Sequence, residues 1–315
     1  MPGQQSSPPQ EKDAATLKSQ VAAFWDSEPC GSETSAAAPL TASYFDEIER
    51  RRYELERHIP EIADFAAHAG ERMLEVGCGI GTDALQFARA GARVTGVDAS
   101  QKSLEMARQR FELNGLQAEF LQADAERLPF ENGTFDFVYS HGVLHHTPAP
   151  ERAVAEILRV LRPGGSALVM LYHRRSYNYL IDILVLRRAG WYLLKIGVPA
   201  QWLSRLTGFD RELLEAHQQR ARSMRFDKQR FLNDNTDGPG NPLSRVFSRS
   251  EAAMLFEGFQ DVRTRVRYFD KRHVPVVGRL IPDPLQDRLG RIAGWHLYIT
   301  ARKPFGADAR PSIAQ

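Results

Sequence analysis

The chain is predicted to be an α/β protein on a doubly wound, mostly parallel sheet, and three observations support that prediction. Short apolar runs of strand length alternate with helical spacings from Arg72 to Tyr172. Three glycines, Gly77, Gly79 and Gly81, fall between the first such run and the first such helix. The second run ends on an acid, Asp98. Glycine at a strand-to-helix turn permits positive φ and close approach of a ligand, and the N–H groups at the helix start favour a negatively charged group. In open parallel sheets ligands sit beyond the carboxyl ends of the strands, where these residues fall.

The elements follow in order. Residues 1–20 are rich in Gln, Ser, Pro and charge and are expected to be a mobile tail, without the apolar core of a secretory signal. Residues 21–70 are expected to form a lid and helices. Phe24 and Trp25 make an aromatic pair, and Tyr44, Phe45, Ile48, Tyr53, Leu55, Ile59, Ile62 and Phe65 recur at helical intervals, broken at Pro60. Residues 71–174 read as the core: strand 72–76, helix 82–90, strand 93–97, helix 101–114, strands 118–122 and 135–140, helix 151–161 and strand 166–172. Residues 175–248 exceed what a crossover needs and read as a helical insertion bearing on the substrate. Residues 249–304 return to the sheet with strands at 259–269 and 294–302, and 305–315 form a second tail.

The glycine spacing separates two cofactor classes. A dinucleotide fingerprint needs a third glycine three positions after the second, and Thr82 stands there instead. What is present is Glu75-x-Gly77-x-Gly79-x-Gly81, then Val97-Asp98, Ala123-Asp124-Ala125, Phe135-Asp136-Phe137-Val138-Tyr139-Ser140 and Arg162-Pro163-Gly164-Gly165, in that order. This pattern resembles the class I S-adenosylmethionine-dependent methyltransferases, over about 67–173 and again near the C-terminus. Leu128-Pro129-Phe130, Gly142-Val143-Leu144-His145-His146 and Pro163-Gly164-Gly165 look most like the ubiquinone/menaquinone biosynthesis group. The resemblance implies a Rossmann-like, seven-stranded sheet whose last two strands form an antiparallel closing pair. It also implies S-adenosylmethionine as cofactor, S-adenosylhomocysteine as product, and methyl transfer to a small-molecule acceptor by in-line displacement. The long insertion departs from the compact quinone enzymes, so an apolar or anionic acceptor is expected, with O-, C- and N-methylation all open.

The implied cofactor set is Glu75, Gly77, Cys78, Gly79, Gly81, Asp98, Ala99, Asp124, Ala125 and Ser140. A carboxylate at Asp98 suits the ribose hydroxyls, and Asp124 with the Ala125 N–H suits the adenine ring. Glu75, inside an apolar run, is costly to bury unpaired and is expected to accept from the loop or touch the cofactor's ammonium group. Cys78 reads as a small neutral filler, since no cation stands near it in sequence. Among catalytic candidates, His145 and His141 follow the fourth strand and Tyr172 and His173 end the fifth. An imidazole there is a fit general base. His146 reads as a base or as a structural group bonding the next loop, and Asp234 and Asp237 are further candidates. No Cys or acidic ligand set completes a metal site beside the three histidines, so none is expected. Arg51, Arg52 and Tyr53 read as a solvated face or as part of the substrate entrance.

Of the 315 residues only Cys30 and Cys78 are cysteines, which indicates neither a disulfide framework nor a zinc site and suits a reducing cytoplasm. The net charge of +2 divides into −8 over residues 1–174 and +10 over 175–315. The basic half suits an anionic substrate or an acidic membrane surface, or is simply a solvated surface. With no dense Lys/Arg patch interleaved with aromatics, a nucleic-acid methyltransferase is the weaker reading, and a noncatalytic cofactor-binding protein weaker still. Residues 177–203 are too interrupted to span a bilayer; they read as helices over the active site or as a peripheral membrane contact through Trp191, Tyr192 and Trp202.

Overall fold

A computed structural model describes residues 11–208, 211–223, 225–274 and 277–305. Seven strands, β1 Arg72–Val76, β2 Arg93–Asp98, β3 Glu119–Gln122, β4 Phe135–His141, β5 Leu161–Tyr172, β6 Gln260–Arg267 and β7 His296–Arg302, form one sheet in the order β3-β2-β1-β4-β5-β7-β6. All pairs are parallel except β5–β7 and β6–β7, which are antiparallel. The sheet is therefore doubly wound and mostly parallel. Its order reverses between β1 and β4, the place where such sheets open a ligand crevice.

Pleating sorts the strand side chains onto two cores. Met73, Phe137 and Tyr139 point to one face, where they meet Phe87 and Leu104 from helices α4 (Thr82–Arg89) and α5 (Gln101–Leu113). Leu74, Val76 and Val138 point to the other and meet Ile157 and Val160 of α6 (Pro150–Val160). Burial on both faces explains why these strands read as near-continuous apolar runs.

Several boundaries differ from expectation for local reasons. Residues 11–20 are not tail but the start of helix α1 (Glu11–Ser27), while 1–10 and 306–315 lie outside the described residues. The helical region 42–67 breaks at Glu56–His58, between α2 (Ala42–Leu55) and α3 (Ile59–Ala63), because Pro60 occupies the first turn of α3, where its missing N–H costs nothing. Strand β5 begins at Leu161 and takes in Pro163–Gly165: Gly164 donates its N–H to Lys303, and a Cβ on Gly165 would lie 2.8 Å from the Asp136 carbonyl. The insertion is helical as expected: a π-helical stretch Asn178–Arg187, then α7 (Arg188–Lys195), α8 (Ala200–Thr207), α9 (Arg211–Ser223) and α10 (Lys228–Thr236).

Candidate active site

A cavity of about 590 Å³ opens at the carboxyl ends of β1, β2, β4 and β5. Its floor is the glycine turn. Gly77 has φ 75°, and a Cβ there would lie 2.1 Å from Val143 Cγ2, so both the left-handed backbone and the close approach of the 143 side chain require glycine. The Gly77 and Cys78 N–H groups both donate to the Val97 carbonyl, at 2.7 and 3.0 Å, tying the turn to the end of β2. Asp98 then closes it: Oδ2 accepts from the Gly79 N–H at 2.8 Å and Oδ1 from the Ser100 N–H at 2.9 Å. Burial pushes the Asp98 carboxyl up, opposed by those same donors. Each carboxylate oxygen has a second lone pair beyond the one so engaged, and Asp98 lines the cavity, as binding of two ribose hydroxyls would require.

Gly77, Gly79, Asp98, Ala99, Asp124 and Ala125 line the cavity, whereas Glu75, Cys78, Gly81 and Ser140 stand behind its wall. Ser140 is fully buried and donates to the Val76 carbonyl, pinning β4 to β1. The Cys78 thiol packs toward Gly96 and Phe120, and burial raises it, which fits the neutral filler role. Gly81 caps α4 and faces Ala107 of α5. Asp124 is bonded by Lys18 of α1 at 2.7 Å, and Lys18 also meets Glu126 at 2.6 Å. The first helix thus latches over the end of the cavity where an adenine ring was expected.

Glu75 is 3% exposed, and its Oε2 meets no hydrogen-bond donor. Burial, then the nearby Asp83 charge, pushes its carboxyl well above the usual range. A buried carboxylate oxygen without a donor fits a cationic ligand group such as the cofactor's ammonium. The sign for stability follows. The folded protein keeps the Glu75 proton at pH values where the unfolded chain, with an ordinary value of 4.5, has lost it, so stability falls as pH rises above that value. Glu75→Gln should therefore raise the melting temperature of the cofactor-free protein at neutral pH and flatten its decline from pH ~5 to ~8, while weakening cofactor binding. Scanning fluorimetry across pH, with and without S-adenosylhomocysteine, reads both effects; a variant less stable at neutral pH would contradict the assignment.

Helix α2 turns two charged side chains inward. Arg52 donates from Nε and Nη2 to the two oxygens of Asp83 at 3.0 and 2.7 Å, and Tyr53 and Tyr139 donate to the same carboxylate at 2.8 and 3.0 Å. Although burial alone would raise Asp83, the Arg52 guanidinium holds it well below the usual carboxylate range. Arg52 and Glu56 both line the cavity, so the solvated-face reading holds only for the exposed Arg51.

The histidines divide by their hydrogen bonds. Arg52 Nη2 lies 3.4 Å from His141 Nδ1 and has only protons to offer, so Nδ1 accepts and Nε2–H points at Tyr298 Oη, 2.9 Å away. His141 lines the cavity but has no lone pair left for an acceptor's proton. His145 is fully buried behind Tyr172, with its ring 3.7 Å from that ring, and is outside the cavity wall, as is His173, whose Nδ1 lies 3.1 Å from the Gly294 carbonyl. The structure thus places neither His145 nor His173 where an acceptor would sit.

His146 is different. Its Nδ1 lies 2.6 Å from the Leu243 carbonyl, which only accepts, so Nδ1 holds the proton and Nε2 the lone pair. That Nε2 has no hydrogen-bond partner and lies 3.5 Å from Asp237 Oδ2. Tyr172 donates to Asp237 Oδ1 at 2.5 Å, and burial, then the Asp237 charge, holds the Tyr172 phenol well above its ordinary value and therefore neutral. His146, Asp237 and Tyr172 line one wall of the cavity. Trp25 lines it as well, with its ring centroid 5.4 Å from that of His146, as a lid over that wall would require. The Cys30 side chain also reaches the cavity.

Among the described residues Glu56, His141 and His296 bring ligand atoms within 4.8 Å of one another. The Arg52 guanidinium, 3.4 Å from His141 and 4.0 Å from Glu56, already supplies a positive charge to this cluster and opposes a divalent cation there.

Comparison with known proteins agrees with this geometry. Residues 74–169 match the family described as "Methyltransferase domain". The chain is 36% identical to a ubiquinone biosynthesis O-methyltransferase of Aromatoleum aromaticum over 42% of its own length and 55% of that protein's. It is 40% identical to a phthiotriol/phenolphthiotriol dimycocerosates methyltransferase of Mycobacterium leprae, over 41% and 46% respectively. The chain thus spans about half the length of the curated relatives it matches. The solved structure of the [4+2]-cyclase SpnF superposes with a TM-score of 0.51 at 21% identity over 96% of this chain and 98% of that one, a likeness of fold. The matched segment, residues 74–169, holds the glycine turn, Asp98, Asp124 and the His145-His146 pair, and it is over this segment that the chain is similar to S-adenosylmethionine-dependent methyltransferases.

Proposed function

We propose that this protein methylates a hydroxyl of a small apolar molecule. The observation that carries the reading is the meeting, in one cavity, of the glycine–Asp98 cradle with a histidine whose lone pair is unengaged. S-adenosylmethionine supplies an electrophilic methyl group on a sulfonium sulfur. Gly77, Gly79 and Asp98 would hold the cofactor's sugar and chain, Asp124 and Ala125 its base, and Arg52 its carboxylate end, with Glu75 supplying negative charge to its ammonium from behind the cavity wall. His146 Nε2 would take the proton of the acceptor hydroxyl as its oxygen–carbon bond forms and the methyl's bond to the sulfonium sulfur breaks, leaving S-adenosylhomocysteine as the neutral thioether, and Asp237 would stabilise the resulting imidazolium across 3.5 Å. Tyr172 keeps Asp237 in place. A base matters for a neutral hydroxyl, which is a poor nucleophile until its proton leaves; a free amine does not need one. Similarity to a ubiquinone biosynthesis O-methyltransferase supports the same acceptor atom.

Calorimetric titration with S-adenosylhomocysteine, with a reduced dinucleotide as control, tests the cradle. Saturable binding of the first alone is expected. Transfer of isotopically labelled methyl to a panel of phenols, alcohols, amines and enolisable ring carbons then tests the acceptor. Product from hydroxyl compounds supports the reading, and product from amines or carbons alone would sink it.

A further inference from the structure

The insertion has an apolar, basic face that the cavity does not use. Among the described residues of 175–248 only Asp237 lines the cavity, and none of 177–203 does, against the reading that places those helices over the site. Ile181, Val185, Tyr192 and Ile196 follow at intervals of four, seven and four, which sets them along one side of the π-helical stretch and its continuation α7. All four are exposed, Ile196 at 76%. After the turn at 196–199, α8 adds Trp202 and Leu206, one helical turn apart and 66% and 71% exposed. Meanwhile Ile183, Trp191, Leu194 and Leu203 fill the inward side. Elements apolar both inward and outward present more apolar surface than the fold covers, and a contiguous patch of that kind marks an interaction surface.

Charge selects the occupant. Residues 177–207 contain four bases and one acid, and that acid, Asp182, is buried and bonded by Arg187 at 3.0 Å. Arg188, Lys195 and Arg205 are exposed between the apolar positions. The Arg188 guanidinium lies 5.9 Å over the exposed Tyr192 ring, which sets a cation beside an interfacial aromatic, and the Lys195 ammonium lies 4.8 Å over the inward Trp191 ring. A second copy of this chain would bring the same positive face and meet like charge, whereas anionic lipid headgroups meet both the bases and the side chains between them. Among the described residues no helix is long and apolar enough to cross a membrane. We propose that the face formed by Ile181, Val185, Tyr192, Ile196, Trp202 and Leu206 docks on the surface of an anionic bilayer, lying in the headgroup plane with Arg188, Lys195 and Arg205 on the lipid phosphates.

The test uses the full chain and vesicles of phosphatidylcholine with or without ~30% phosphatidylserine. The protein should co-sediment with the anionic vesicles, at least ~10-fold less with the neutral ones, and less again as salt rises. The triple variant Ile196→Ser, Trp202→Ser, Leu206→Ser should lose at least ~10-fold in vesicle affinity while its S-adenosylhomocysteine titration stays unchanged, which separates docking from folding and from the cofactor site. Equal sedimentation with and without anionic lipid, or equal binding by the triple variant, would overturn the proposal. So would a lipid-free dimer, seen by light scattering, that the triple variant abolishes, since the occupant would then be a second copy.

Discussion

Asp98→Ala should reduce affinity for S-adenosylhomocysteine by at least ~100-fold, the largest single loss expected at the cofactor end of the cavity. Two hydrogen bonds from ribose hydroxyls to a buried carboxylate contribute about 1.5–3 kcal/mol each, and ~3 kcal/mol is already more than a factor of 100. The same carboxylate accepts the Gly79 and Ser100 N–H groups, so its removal also frees the turn that presents Gly77 and Gly79. Asp98→Asn separates the two effects. The amide keeps one acceptor oxygen, but its NH2 group faces either a backbone donor or a ribose hydroxyl. Its affinity should therefore fall between those of the wild type and Asp98→Ala. Calorimetry gives the affinities and thermal unfolding of the cofactor-free variants gives the structural part. If Asp98→Ala bound the product as tightly as wild type, the cradle would have been assigned to the wrong carboxylate.

Why Asp98 was legible in the sequence, and Arg52 only as one of two readings, has a physical answer. The cradle is built from a single βαβ passage: Gly77, Gly79 and Asp98 lie within a few turns of chain, and the main chain itself, through the Val97 carbonyl and the Gly79 N–H, holds them together. Local spacing is then enough. The opposite wall is assembled from Trp25 of α1, Arg52 and Glu56 of α2 and its end, Tyr172 of β5, Asp237 beyond α10 and His296 of β7. Nothing in their spacing brings those segments together; the sheet order does. One signal was available: Phe45, Ile48 and Arg52 fall at i, i+3 and i+7, so Arg52 lies on the buried side of α2 and needs an internal counter-charge. The three histidines were visible as a cluster, but their roles depend on which ring nitrogen carries the proton. For His146 that is decided by the carbonyl of Leu243, 97 residues away.

His146→Ala should lower kcat for a hydroxyl acceptor by about 10²–10⁴, the contribution of a positioned general base. S-adenosylhomocysteine affinity should be unaffected, because no residue of the glycine turn or Asp98 bonds to His146. Asp237→Asn should lower kcat less than His146→Ala. The imidazole would retain its Leu243 bond and its tautomer but lose the charge that stabilises the imidazolium, while Tyr172 would lose an anionic partner. His145→Gln is the contrasting case: a buried ring packed on Tyr172 is removed, so its effect should appear in the melting temperature rather than in the ratio of kcat to product affinity. Added imidazole should restore part of the His146→Ala rate, filling the space its ring leaves beside Asp237 and Trp25, but none of the Asp98→Ala loss. Unchanged turnover in His146→Ala would mean that proximity alone drives the transfer, and the acceptor would then be sought among groups that carry no proton to lose.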